Sequence, residues 1–345
     1  MARYTSPEQI KTGVVGYGGA FEMGKRHLLE MQSHGMTPTA VAELDPDRLA
    51  VAETDFPGIE TYSTVESMLS ESDVNFITII TPHNTHAQIA LQCLEAGRHV
   101  CCEKPLALTT NECESMMAAA KAQDLLLTTY HNRHWDGCIL KAMQDIREDG
   151  IIGEICRIDA QMGSYTCPGD WWRSSRSISG GILYDWGAHF TEYALQLMDD
   201  ELVEVSGHST HGHWATQTPW KDDTIEDEAM AMVRFKRGGI YMLRISHLES
   251  HPHPYFIKVT GTLGCYEFSP HGKYRITTQE GGEVVVREGD EPESEGWRFY
   301  KNVTNHLVND EPLVITGEWA TRVIHVLDLA CDSAAKGRTL PVTHP

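Results

Sequence analysis

No stretch of this chain is basic. Lys and Arg number 28 against 49 Asp and Glu, a net charge of −21, and phosphate binding needs clustered cations. Nucleic acid and anionic membrane are thereby excluded as expected partners. No apolar run approaches membrane-spanning length, and the opening MARYTSPEQIKTG lacks the apolar core of a secretory signal. Nine cysteines are scattered without CxxC spacing, and the adjacent Cys101 and Cys102 read as small apolar residues of a buried strand. A reducing, cytoplasmic compartment is the expectation, and Asn302-Val-Thr304 is then an incidental sequon. Internal repeats and low-complexity tracts are lacking too.

What is present is enough chain for two domains: 345 residues, 41% hydrophobic and 22% charged. The stretch from Phe76 to Leu108 organises the first half. Phe76 to Ile80 reads as a buried strand that Thr81-Pro82 ends, because proline cannot continue a ladder. A helix from about Thr85 carries Ile89, Ala90, Cys93 and Leu94 on one face and stops at Gly97. A second strand, His99 to Cys102, delivers Glu103-Lys104-Pro105. Such a strand–helix–strand unit is a right-handed crossover between parallel strands, and ligands of these sheets lie beyond the strands' carboxyl ends. Lys104 is thus aimed into a cleft.

Upstream, the strand Thr12 to Val15 runs into Gly16-Tyr-Gly18-Gly19, where Gly16 and Gly18 allow a tight turn and close approach to a pyrophosphate at a helix start. Gly24 follows six residues after Gly18 instead of the usual three, so the turn carries an insertion. Thr39 to Glu43 is the next strand, and Asp45-Pro46 opens a helix. A carboxylate at the Glu43 position accepts from a ribose 2′-hydroxyl and repels a 2′-phosphate, which favours NAD over NADP. Thr109 and Glu112 have capping-box spacing, and Leu125 to Thr129 makes a sixth strand of a doubly wound parallel sheet. The domain boundary falls near His131 to His134, dividing the chain into 1–131, a dinucleotide-binding domain, and 132–345, a second domain whose last helix is free to pack back on the first.

In the second half, a strand from Gly153 to Met162 precedes a long connection, Gly163 to Ser179, with Trp171, Trp172 and Arg173; connections this long are often functional. Ile182 to Leu197 reads as one helix, on which Asp185 and His189 lie four apart and face one way. Oxidising an alcohol requires a base for the hydroxyl proton, and histidine, with an ordinary pKa of about 6.5, is suited to it. Asp185 can support the imidazolium, and Lys104 can donate to the same oxygen. A capping or ion pair is the plainer use of an Asp/His spacing, and the lysine at the strand end is a first argument for catalysis. Beyond Leu202 the pattern is strand-rich, with hairpin signals at Gly238-Gly239 and Gly281-Gly282. The histidines at 208, 211 and 213 and at 247, 251 and 253 could in principle pair on a metal, but alternating strand faces and loops account for them, and no metal is expected.

Several of these motifs together resemble the glucose–fructose oxidoreductase, inositol dehydrogenase and rhizopine-catabolism family (Gfo/Idh/MocA). They are Gly16-Tyr-Gly18-Gly19 with His27, Thr81-Pro82 with His86, Ala96-Gly-Arg-His-Val100 into Glu103-Lys104-Pro105, Trp172-Arg173, and Gly180-Gly-Ile-Leu-Tyr-Asp185-Trp-Gly-Ala-His189. Thr316-Gly-Glu and Ala330 to Gly337 resemble the family's last helix. The resemblance implies an α/β fold: a Rossmann domain with a doubly wound parallel sheet, then an α/β domain with a large, mainly antiparallel sheet used for homodimer or homotetramer contacts. It also implies NAD(P)-dependent oxidation or reduction of sugars, cyclitols or related compounds. Catalysis falls to Lys104, Asp185 and His189. Cofactor contacts fall to Gly16, Gly18, Gly19, Glu43, Thr81, Pro82, Asn84, His86, Glu103, Lys104, Trp172 and Arg173. An NAD-recycling enzyme that cleaves glycosides through transient oxidation would keep the same site; a non-catalytic, nucleotide-responsive regulator is the third reading, against which intact Lys104, Asp185 and His189 argue.

Overall fold

The computed structural model describes residues 2–343 except His271. The chain divides into two compact units, Met1–His131 with Trp297–Thr321, and Asn132–Gly296 with Arg322–Pro345.

In the first unit, strands β1 (Lys11–Val15), β2 (Thr37–Ala42), β3 (Glu60–Tyr62), β4 (Phe76–Ile79), β5 (His99–Cys102) and β6 (Leu127–Thr129) form one parallel sheet in the order β3-β2-β1-β4-β5-β6. Helices α1 (Met23–Ser33), α2 (Pro46–Asp55), α3 (Val65–Glu71), α4 (His86–Glu95) and α5 (Thr110–Ala122) connect them. Every residue of β4 and β5 is buried, which is why both are mostly apolar and do not alternate with exposed polar residues. Full burial of Phe76, Ile77 and Ile79 contributes about 1.5–3 kcal/mol each. Thr109 and Glu112 close the expected capping box. β3 has only three residues, none buried, and its pairing with β2 alone identifies it. The strand order reverses between β1 and β4, the point where sheets of this topology bind dinucleotides.

The second unit begins with α6 (Gly137–Ala142), which continues as a π-helical turn over Met143–Glu148. β7 (Ile155–Gly163), the short α7 (Arg176–Ser179) and α8 (Trp186–Met198) follow. Strands β8 (Leu202–Thr210), β9 (Glu228–Phe235), β10 (Ile240–Ser246), β11 (Ile257–Gly261), β12 (Gly264–Phe268), β13 (Lys273–Glu280) and β14 (Glu283–Asp290) come next. With β7 and the terminal β15 (Leu340–Pro341) they make a nine-stranded sheet. It is antiparallel except where β10 runs parallel to β7. Gly281 and Gly282 both have positive φ (61° and 88°) in the tight β13–β14 turn, as a two-residue hairpin of that twist demands.

Two sequence expectations are corrected. The segment Trp297–Thr321, holding helix α9 (Arg298–Asn309) and the start of α10 (Gly317–Lys336), groups with the first unit, whereas the sequence pattern assigns all of 132–345 to the second domain. Phe299, Tyr300, Val303 and Leu307 of α9 are buried, and Thr128 of β6 donates to the Ile315 carbonyl at 2.6 Å. The stretch from Ile182 is also not one helix. A 3₁₀ turn over Ile182–Tyr184 ends at Asp185, whose ψ of −87° breaks the helical path before α8 begins. Among the described residues no helix is long and apolar enough to cross a membrane.

Candidate functional site

The first unit brings its cofactor candidates to the carboxyl edge of the parallel sheet. Gly16 has φ +99°, and a Cβ there would lie 2.3 Å from the Ile80 carbonyl oxygen, so only glycine lets the turn after β1 pass so close to the end of β4. Gly18 and Gly19 are exposed, and a Cβ on Gly18 would meet nothing within 4 Å. The inserted residues loop out, and Glu22 enters α1 in a left-handed conformation with no side-chain cap. Gly24 nonetheless serves the purpose of the motif's third glycine: a Cβ there would sit 2.9 Å from the Gly16 carbonyl oxygen, so its absence lets helix and strand pack closely.

Glu43 follows β2. Its Oε2 accepts from the Tyr17 amide at 2.6 Å, and its Oε1 from the amides of Leu44 and Asp45 at 2.7 and 3.1 Å. A carboxylate offers about four lone-pair sites, so these three bonds orient it and leave one on Oε2. Arg48 donates from Nε to the Tyr17 carbonyl at 2.8 Å. An uncapped helix start, a glycine turn open on its outer side and an oriented carboxylate at the end of β2 together fit a dinucleotide.

At the ends of β4 and β5, Thr81 and Pro82 are half-buried and Asn84 is exposed. His86 is fully buried. Its Nε2 lies 2.9 Å from the Thr81 carbonyl and its Nδ1 2.8 Å from the Pro105 carbonyl. The imidazole, expected to touch cofactor, therefore ties the two strand ends together from beneath. Lys104 is half-buried and precedes a cis bond to Pro105. Its amide donates to Glu103 Oε2 at 3.0 Å, and Glu103 Oε1 meets His27 Nε2 at 3.1 Å. Burial pushes the Glu103 carboxyl up, but the His27 hydrogen bond, the neighbouring positive charges and the Lys104 amide outweigh it, and its pKa lies below the ordinary glutamate value. Burial holds the Cys101 and Cys102 thiols well above the usual thiol range, so both behave as apolar filling.

In the second unit Trp172, Arg173 and Asp185 come together. Arg173 donates from Nη1 to Asp185 Oδ1 at 2.6 Å, and its guanidinium lies over the rings of Trp172 and Trp171, 4.9 and 5.5 Å from their centroids. Arg173, expected on the cofactor, is here the partner of Asp185. Asp185 sits immediately before α8, and His189, buried one turn into it, packs edge-on to Trp186 at 5.6 Å. Asp185 thus marks the break between the 3₁₀ turn and α8. Glu226 fixes that break by accepting from the Ile182 amide at 2.8 Å. A Cβ on Gly181, at φ +114°, would lie 2.6 Å from a Glu226 oxygen.

Arg133, whose guanidinium stands 4.9 Å over the Trp186 ring, and Glu226 had no motif to announce them. The histidines of the strand-rich region scatter: His211 meets Ser209 and His213 meets Tyr165. Among the described residues no group of three or more His, Cys, Asp or Glu could hold a metal.

Comparison with known proteins places residues 10–131 in a family described as an oxidoreductase family with an NAD-binding Rossmann fold, and residues 140–267 in the GFO/IDH/MocA C-terminal domain. An uncharacterized oxidoreductase of Schizosaccharomyces pombe, C26H5.09c, is 31% identical over 191 residues, covering 54% of this chain but only 51% of that protein. The scyllo-inositol 2-dehydrogenase (NADP(+)) IolW of Bacillus subtilis is 22% identical over 98% of this chain and 97% of its own. Among solved structures, a levoglucosan dehydrogenase in complex with NADH superposes with a TM-score of 0.82 at 22% identity, covering 97% of this chain and 100% of that one.

Proposed function

The chain belongs to the GFO/IDH/MocA family of oxidoreductases, and on that premise we propose that it oxidises a secondary alcohol of a sugar, cyclitol or glycoside with NAD. The observation that carries this reading is the carboxyl edge of the parallel sheet. The glycine turn approaches β4 at the strand-order reversal, and Lys104 emerges from the next strand.

Bound NAD supplies the hydride acceptor. Gly16, Gly18 and Gly19 admit the pyrophosphate, and Glu43 takes the adenosine ribose with its remaining acceptor site. Lys104 Nζ donates to the reacting oxygen and stabilises the alkoxide as it develops. His189 takes the hydroxyl proton, and Asp185, itself held by Arg173, orients the site and favours the imidazolium. The substrate classes follow the inositol and levoglucosan enzymes to which the chain is similar.

A homo-oligomer formed through the nine-stranded sheet belongs to the same proposal. Met232 and Met242 pair directly across β9 and β10, and both stay exposed, at 45% and 39%. Light scattering that finds only monomer removes this part.

The test is a panel of inositols, sugars and glycosides incubated with NAD, following NADH and product masses together. Ketone product with stoichiometric NADH is the expected result. Glycoside cleavage with no net NADH assigns the chain to NAD recycling, and cofactor binding without turnover on any member removes the catalytic reading.

A further inference from the structure

A chain of polar side chains runs inward from Lys104 and ends on a helix nearly two hundred residues away in sequence. The Lys104 amide donates to Glu103 Oε2 (3.0 Å), Glu103 Oε1 meets His27 Nε2 (3.1 Å), and His27 Nδ1 meets the Tyr300 hydroxyl (2.6 Å). The Tyr300 hydroxyl also lies 3.2 Å from Thr78 Oγ1. His27 and Thr78 are fully buried and Tyr300 is 1% exposed. An ionised carboxylate only accepts, so the proton of the His27–Glu103 contact belongs to Nε2. Burial raises the Tyr300 hydroxyl far above the ordinary tyrosine range, so it stays protonated. The Tyr130 ring packs edge-on against the imidazole at 4.3 Å. These contacts exceed what a core needs in this place, where an apolar side chain would fill the same volume without a polar atom to satisfy.

We propose that His27 and Tyr300 are positioning residues for Lys104. His27 holds one oxygen of Glu103 inward, so that the other is turned onto the Lys104 amide and sets the direction in which the lysine leaves the strand. Tyr300 fixes the imidazole from behind. The proposal rests on the reading of Lys104 as the group that polarises the substrate oxygen. Its geometric content, a Lys104 amide whose hydrogen bond depends on residues 27 and 300, stands apart from that reading.

The experiment compares wild type with Tyr300→Phe, His27→Leu and His27→Gln, each checked for cooperative melting. It reads amide hydrogen exchange at Lys104 by NMR on the cofactor-free protein, and turnover on whichever alcohol the panel identifies. Tyr300→Phe and His27→Leu are expected to speed Lys104 exchange at least about tenfold and to lower kcat by a similar factor, with the Kd for NAD within about twofold. His27→Gln, whose amide still donates, is expected to restore much of both. Should His27→Leu fail to fold, Tyr300→Phe, which keeps the ring, decides the matter alone. Unchanged Lys104 exchange in Tyr300→Phe, or exchange as fast in His27→Gln as in His27→Leu, overturns the proposal. Faster exchange in the variants of a protein that turns over no alcohol sustains the positioning and removes instead the catalytic reading of Lys104.

Discussion

Lys104 and Glu103 are neighbours in sequence with opposite surroundings. The glutamate is bound on both oxygens, and the lysine continues outward from a buried strand. If Lys104 supplies the cation for a developing alkoxide, Lys104→Ala should reduce kcat about 100- to 1,000-fold, the loss typical of one oxyanion donor, while NAD affinity measured by fluorescence quenching is retained. Near-normal turnover would take the role away from it. His189→Asn should do something different in kind: a base removed from a proton transfer changes the shape of the pH–rate profile as well as its height. An unaltered profile would show that another group, or water, takes the proton. Asp185, tied to Arg173, should be less sensitive to conversion to asparagine than to alanine.

At the scale of elements, β5 links stability to pH through a residue that takes no part in the chemistry. His99 opens the strand, is buried, and accepts the Leu126 amide on Nδ1 at 3.0 Å. Burial, reinforced by the charges of Arg3 and His306, depresses its pKa from 6.5 to about 4. A depressed pKa means that the unfolded chain binds the proton first. The contribution is therefore fully present above pH 6.5 and is lost as pH falls toward 4. A difference of about 2.5 units corresponds to roughly 3 kcal/mol. Urea unfolding measured between pH 7 and pH 4 should show that loss, and His99→Asn, which keeps an acceptor near the Leu126 amide but does not titrate, should flatten it. An equal slope in the variant would place the acid sensitivity in other groups. The same strand was legible beforehand because three apolar residues, Val100 to Cys102, follow the helix stop at Gly97. β3 was not, because it has three residues and no buried face.

For the whole molecule, a ligand that binds only the folded chain stabilises it by mass action, by about 2.7 kcal/mol at a hundredfold excess over Kd. If Glu43 holds the adenosine ribose, NAD should thus raise the thermal midpoint further than NADP at equal concentration, because a carboxylate repels a 2′-phosphate. Glu43→Ala should narrow the gap. A larger shift with NADP, the cofactor in the name of the B. subtilis relative, would move discrimination to another residue, Arg48 first. The sequence by itself determined the periodic and the local: the alternation of buried strands with helices, the glycine turn, the hairpin turns of the large sheet, the Glu103-Lys104 strand end and the Asp185–His189 spacing. Each rests on residues within a turn or two of one another, where steric rules act directly. Only the tertiary structure decided that Gly24 closes an interrupted glycine motif, that Arg173 pairs with Asp185, that His86 lies beneath the strand ends, and that Tyr300, 273 residues away in sequence, stands behind His27. The reason is physical: a buried polar atom must find a partner wherever the fold brings one, and nothing in the local pattern of a chain records which distant segment that will be.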